Sequence, residues 1–176
     1  TASGSNYTIT ASASSGVAPY TYSIDGINFQ TSATFTVSPG TYTVTVRDAN
    51  GCTAVSNTVT VYPQLTLTTV ITKDLDCTAS PDAIITGTIN GGSTPFTYSV
   101  SINSGGYTSL GATGSPFTYS TSTAGTYQFQ VTDANGCTTE SVVNTIDALV
   151  PVTTANTFVD PTCNGDTNGS ITLNAT

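Results

Sequence analysis

The feature that most limits what this chain can become is a long run that occurs twice. Gly40-Thr-Tyr-Thr-Val-Thr-Val-Arg-Asp-Ala-Asn-Gly-Cys52 returns as Gly125-Thr-Tyr-Gln-Phe-Gln-Val-Thr-Asp-Ala-Asn-Gly-Cys137, 85 positions later. Pro19-Tyr-Thr-Tyr-Ser23 also returns as Pro95-Phe-Thr-Tyr-Ser99, but at a shift of 76. The second copy is therefore about nine residues longer between these landmarks, and the insertion is placed in Ser101 to Ser115. Cys77 and Cys163 stand 86 apart, and Cys163-Asn-Gly-Asp-Thr-Asn-Gly-Ser-Ile-Thr172 reads as the opening of a third copy. A period near 85 residues suits small compact modules rather than the shorter units of solenoids. The expected division is 1–63, 64–150 and an incomplete 151–176, a piece cut from a longer array.

Within each copy the apolar residues alternate with polar ones. Tyr42, Val44 and Val46 face one way and Thr41, Thr43 and Thr45 the other, and Tyr127, Phe129 and Val131 repeat the pattern. That is the period-two mark of a strand with one buried face. Asn50-Gly51 and Asn135-Gly136 follow, and this dipeptide predicts a tight type I′ hairpin with two positive φ angles. Further strands are expected at Tyr7 to Ala11, Tyr20 to Ile24, Thr34 to Val37, Thr58 to Val61, Leu65 to Ile71, Ala83 to Ile89, Phe96 to Ile102, Phe117 to Ser120 and Val142 to Ile146. Six or seven short strands per module, with Gly, Pro, Asn and Asp between them, predict an all-β chain of tandem immunoglobulin-like sandwiches. Tyr42 and Tyr127 stand where such a sandwich places its tyrosine corner.

Composition narrows the function. Two basic residues against ten acidic ones give a net charge of -8, which excludes nucleic acid and anionic membranes as natural partners. No apolar stretch is long enough to insert in a bilayer. The chain has no His, so imidazole general-base chemistry is excluded, and no carboxylate pair is well placed to act on a substrate. No enzyme is expected.

Four cysteines without His and without a Cys-x-x-Cys pair read as disulfides, hence an oxidising, extracytoplasmic setting. The favoured pairing is Cys52 with Cys77 and Cys137 with Cys163, because the two loops are nearly equal and Pro63 and Pro151 fall close to their midpoints. The alternative joins Cys77 to Cys137 and leaves Cys52 and Cys163 to seek partners elsewhere.

The Gly-Thr-Tyr-x-Val-x-Val-x-Asp-Ala-Asn-Gly-Cys run, the Pro-Tyr-Thr-Tyr-Ser segment, and Cys163-Asn-Gly followed by Gly169-Ser-Ile-Thr resemble the SprB-type repeats of large Bacteroidota surface adhesins. The resemblance implies a long secreted protein exported by the type IX system, displayed on the cell, and used in adhesion or gliding motility, with the repeats as stalk. The chain departs from the family at Cys77-Thr-Ala-Ser-Pro-Asp-Ala83, where an Asn-Gly-rich run is usual, and at Phe96 and Phe129, where Tyr and Val are usual. Polycystic-kidney-disease-type modules share the Gly-Thr-Tyr-x-Val pattern.

The same sequence offers candidate binding sites. Asn164, Asp166 and Asn168 alternate before Gly169 as calcium ligands do, although Ala175 stands where a closing Glu is required. Asp74, Asp76 and Asp82 gather near Cys77 and, with Asp48 or Asp133, form a second candidate ion site against the plainer reading of solvated acidic loops. Lys73 is expected to guard a strand edge. Nine tyrosines raise the idea of a glycan platform, with Tyr107 in the insertion as the best exposed candidate. The expected function is an extracellular stalk whose partners are neighbouring repeats. The rivals are a filament subunit, in which residues 151–176 add a strand to another copy, and a carbohydrate-binding module.

Overall fold

The computed structural model describes residues 6–78, 82–150, 154–159 and 170–175. Every regular element among them is a strand. The first group is β1 (Tyr7–Thr10), β2 (Thr21–Ser23), β3 (Thr34–Val37), β4 (Gly40–Tyr42), β5 (Thr45–Arg47), β6 (Thr53–Val55) and β7 (Val59–Val61). β1 pairs with β3, β5 lies between β2 and β6, and β4 pairs with β7. All pairs are antiparallel. Ile9, Tyr22, Phe35, Val37 and Val44 fill the space between the layers.

The second group is β8 (Thr66–Lys73), β9 (Ala83–Asn90), β10 (Phe96–Ile102), β11 (Thr108–Thr113), β12 (Phe117–Thr121), β13 (Gly125–Thr132), β14 (Thr138–Glu140) and β15 (Asn144–Ile146). One sheet has the order β12-β9-β8; the other runs β11-β10-β13-β14, with β15 also on β13. Side chains alternate as the sequence requires: Tyr127, Phe129 and Val131 of β13 and Ala83, Ile85 and Ile89 of β9 point into one core. Aromatic rings stack through it, Tyr98 on Phe117 at 4.8 Å and Tyr119 edge-on to Phe129 at 5.3 Å between centroids. Phe117 lies over Gly87, its cross-strand partner, where any Cβ would collide with the ring. The two cores are separate clusters, one drawn from residues up to Val61 and the other from Leu65 onward. A final hairpin joins β16 (Thr154–Val159) to β17 (Ser170–Ala175).

One expectation is corrected, and two features are added to the rest. The Asn50-Gly51 and Asn135-Gly136 turns are not type I′, because only the glycines have positive φ, +85° and +82°. Gly51 donates its N–H to the Asp48 carbonyl, and Asp48 donates to the Cys52 carbonyl; Gly136, Asp133 and Cys137 do the same. This is a type I turn closed by a left-handed glycine, and Asp at its first position favours it. The insertion at Ser101 to Ser115 carries β11, an edge strand on β10. In the first sandwich a single bridge between Tyr22 and Gln30 stands at that place. Finally, the last strand of each sandwich is broken in two, β6 with β7 and β14 with β15. Ser56 and Ser141 cause the break: each hydroxyl accepts from a backbone N–H of the facing strand (Val44, 2.9 Å; Phe129, 3.0 Å) and donates to the next carbonyl of its own strand.

Candidate functional site

The repeated run builds a repeated device. Asp48 Oδ1 accepts from the N–H groups of Asn50 (3.0 Å) and Cys52 (2.9 Å), and its Oδ2 accepts from the Val17 N–H (3.1 Å). Asp133 accepts in the same way from Asn135 (2.9 Å), Cys137 (2.9 Å) and Ser93 (3.0 Å). Ala49 and Ala134 add backbone bonds to the carbonyls of Val17 and Ser93. One carboxylate thus shapes its own turn and ties it to a loop far back in the sequence. The Val17 amide, followed by those of Cys52, Asn50 and Gly51, holds Asp48 below its ordinary pKa against a smaller upward push from burial. For Asp133 burial pushes upward most strongly of any single influence, yet the amides of Cys137, Ser93 and Asn135 together outweigh it and the carboxyl is lowered.

At the opposite end of the same strands lie the tyrosines. Tyr42 donates its hydroxyl to the Ser38 carbonyl (2.8 Å), and Tyr127 to the Thr123 carbonyl (2.7 Å). A tyrosine that reaches four residues back to the backbone is the corner geometry of sandwich domains. Tyr127 is 1% exposed and also shares a hydrogen bond with Thr121 Oγ1 at 2.8 Å, whereas Tyr42 is half-buried.

The two sandwiches meet around Pro63. Its carbonyl accepts from the Gly92 N–H (2.9 Å), and Gly91 packs so closely on Gln64 that no side chain fits there. A cavity of about 520 Å³ at this junction is lined by Tyr7, Val61 and Tyr62 on one side and by Leu65, Asp133 and Cys137 among others on the second. Among the described residues the buried Tyr7 hydroxyl has no hydrogen-bond partner.

The favoured disulfide is not formed. Cys52, Cys77 and Cys137 are exposed free thiols, and Cys163 lies outside the described residues, so the pairing of Cys137 with Cys163 does too. Cys52 follows the turn after β5, while Val61 of β7 pairs with Gly40 at the far end of those strands. β8 then runs on from Pro63 through Lys73 before Cys77 is reached. Each thiol is a strand's length from Pro63, roughly 25 Å at about 3.3 Å per residue, and on a different sandwich. A bridge needs Cα atoms within about 7 Å. Cys77 and Cys137 likewise sit at opposite ends of β8.

The acidic residues do not converge. Asp48 and Asp133 are occupied by their own turns; Asp76 accepts from Thr78 and pairs with Lys73 at 3.1 Å; Asp82 Oδ2 accepts from Ser120. Among the described residues no three His, Cys, Asp or Glu side chains come together as metal ligands do. Asn164, Asp166 and Asn168 lie outside the described residues. Lys73 stands at the end of β8, an edge strand, and donates to the Asp82 carbonyl. The tyrosines are dispersed: Tyr22 and Tyr127 are core, Tyr98 and Tyr119 pack against it, and Tyr62 and Tyr107 are exposed. Tyr107 rests by Glu140; partial burial, then the Glu140 charge and hydrogen bond, raise its pKa.

The residue that sequence reasoning undervalued is the aspartate of Asp-Ala-Asn-Gly. Its presence three positions before each turn glycine was legible, but its long-range partners were not.

Comparison with known proteins bears on the last part of the chain. The SprB repeat family matches residues 155–176, which span most of β16 and all of β17. No curated protein matches. Among solved structures, fibronectin(III)-like modules of CbhA from Clostridium thermocellum align at 16% identity and a TM-score of 0.37, over 81% of this chain and 84% of theirs. No helix among the described residues is long and apolar enough to cross a membrane.

Proposed function

We propose that this chain is a section of an extracellular stalk, a non-catalytic spacer that carries force between a bacterial surface and an adhesive or motility element. Its units on this reading are residues 1–63, 64–150 and the start of a third at 151. The SprB match supports a surface-protein repeat. The observation that carries the mechanical reading is the doubled clasp: Asp48 and Asp133 bind the last hairpin of each sandwich to a loop 31 and 40 residues earlier. Tension drawn along the chain enters and leaves each sandwich through its first and last strands. In the second sandwich these strands run alongside each other in the same direction, Leu65 by Cys137–Thr139 and Thr69 by Asn144, so drawing their outer ends apart shears the contacts between them together rather than one at a time. The Asp turn and the tyrosine corner hold the two ends of the middle strands while this happens.

The partners on this reading are neighbouring repeats of the same protein, and no metal or organic cofactor is required. Single-molecule pulling on the full chain, held by its termini, tests it. The expected trace contains separate force peaks, one of which releases up to about 280 Å of contour for the Leu65–Ile146 unit at about 3.4 Å per residue, less its folded length. A smooth extension without peaks would overturn the proposal.

A further inference from the structure

Two domains on one chain move against each other unless something holds them, and a large apolar interface is the usual hold. Here the space between the two sandwiches is hollow: the cavity of about 520 Å³ lies between Tyr7 and Tyr62 on one side and Asp133 and Cys137 on the other. A fixed orientation must therefore come through the linker itself. That linker is short. Val61 ends the ladder of the first sandwich, paired with Gly40, and the Pro63 carbonyl already accepts from Gly92 of the second. Only Tyr62 lies between those two anchors. The ring of Pro63 fixes its own φ and confines Tyr62 to extended backbone. Two residues further on, the Leu65 side chain is buried in the second core.

A turn of two glycines receives this linker. Gly91 and Gly92 both have left-handed φ, +71° and +67°, which glycine adopts without strain. A Cβ on Gly91 would collide with the Gln64 carbonyl oxygen and stand 2.9 Å from that of Pro63, and one on Gly92 would stand 2.8 Å from Leu65 Cδ1. The glycines thus lie flat against three successive linker residues. Behind them stands Asp133: its Oδ2 accepts from the Ser93 N–H at 3.0 Å, and Ala134 donates its N–H to the Ser93 carbonyl at 2.9 Å. The first sandwich supplies a comparison. At the shift of 76 that matches Pro19 with Pro95, Gly16 and Val17 stand for Gly92 and Ser93, and Ser15 stands for Gly91. Ser15 is not left-handed, yet the Asp48 clasp on Val17 forms beside it. The clasp therefore does not need a glycine at that position, and Gly91 answers to the linker.

We infer that the Gly91–Gly92 turn locks the joint: it holds the two sandwiches in one relative orientation, and Asp133 keeps the lock in place. The first sandwich is thereby carried as a stiff extension of the second, although their cores share no residue and a hollow lies between them. The carboxylate that clasps the last hairpin of the second sandwich also sets the direction in which the chain enters it. Asp48 has no such task at this joint, since its turn lies at the end of the first sandwich away from Pro63.

Residual dipolar couplings of the full chain, measured by NMR in a dilute aligning medium, test this. Two bodies held in one orientation share an alignment tensor, and loosely joined bodies do not. The unaltered chain is expected to fit a single tensor. Gly91→Ser introduces the residue that the first sandwich carries beside its own clasp, so the fold accommodates it, but its Cβ meets Gln64 and its φ is strained. That variant is expected to require two tensors while the chemical shifts of both cores stay unchanged. Asp133→Ala is expected to release the joint in the same way, whereas Asp48→Ala, the same deletion at the other clasp, keeps the single tensor. Two tensors in the unaltered chain overturn the inference. So does a single tensor that survives in folded Gly91→Ser or folded Asp133→Ala, and loosening by Asp48→Ala overturns the role given to Asp133. A loose joint would leave the force peaks of the separate sandwiches as they are, so this inference and the stalk reading fail independently.

Discussion

The same chemical deletion at the two tyrosine corners is expected to have unequal effects. Tyr127→Phe removes a hydroxyl that donates to the Thr123 carbonyl at 2.7 Å and shares a hydrogen bond with Thr121 at 2.8 Å, at a side chain 1% exposed. Two part-buried hydrogen bonds are lost together at an otherwise buried ring, at about 1–2 kcal/mol. Tyr42→Phe removes a single bond to Ser38 from a half-buried ring, and solvent replaces it for about 0.5 kcal/mol. For a unit of this size each kcal/mol moves the melting temperature by about 4–8 °C. Scanning calorimetry should therefore show the transition of the second sandwich falling by roughly 4–16 °C in Tyr127→Phe, while Tyr42→Phe moves the first by roughly 2–4 °C. Thr121→Val combined with Tyr127→Phe should cost less than the sum of the two changes, because both act on one bond. Equal shifts for the two tyrosine variants, or a silent Tyr127→Phe, would refute the reasoning that burial sets the worth of the corner.

Other outcomes follow from the same structure. Phe129→Ala, at a ring with 0% exposure between Phe117 and Tyr119, should destabilise the second sandwich by about 3–5 kcal/mol and leave the chemical shifts of the first unchanged by NMR. Gly87→Ala should cost about 1–3 kcal/mol by denaturant titration, because the new methyl must displace the Phe117 ring. Asp25, Asp48, Asp76 and Asp133 all have lowered pKa values in the folded chain, so their contribution is complete above the unfolded carboxyl value of about 3.9 and is lost as pH falls through the folded values. Stability to denaturant should hold from neutral pH to about 5 and decline below about 4, and less steeply in Asp133→Asn. Cys52, Cys77 and Cys137 should each alkylate without denaturant when mapped by mass spectrometry.

The sequence alone determined whatever depends on near neighbours. Alternation at Tyr127, Phe129 and Val131 settled which face of β13 is buried, because the side-chain period of a strand is two whatever it packs on. A Tyr two positions after Gly40 and Gly125 located the corners, and the Asn-Gly pairs located the turns. Tertiary structure decided what depends on distant groups. The turn type followed from aspartates tied to Val17 and Ser93, and the broken last strands from Ser56 and Ser141 reaching across the sheet. The cysteine spacing looked like a short loop, yet the strands that run away from Pro63 on both sides hold Cys52 and Cys77 apart.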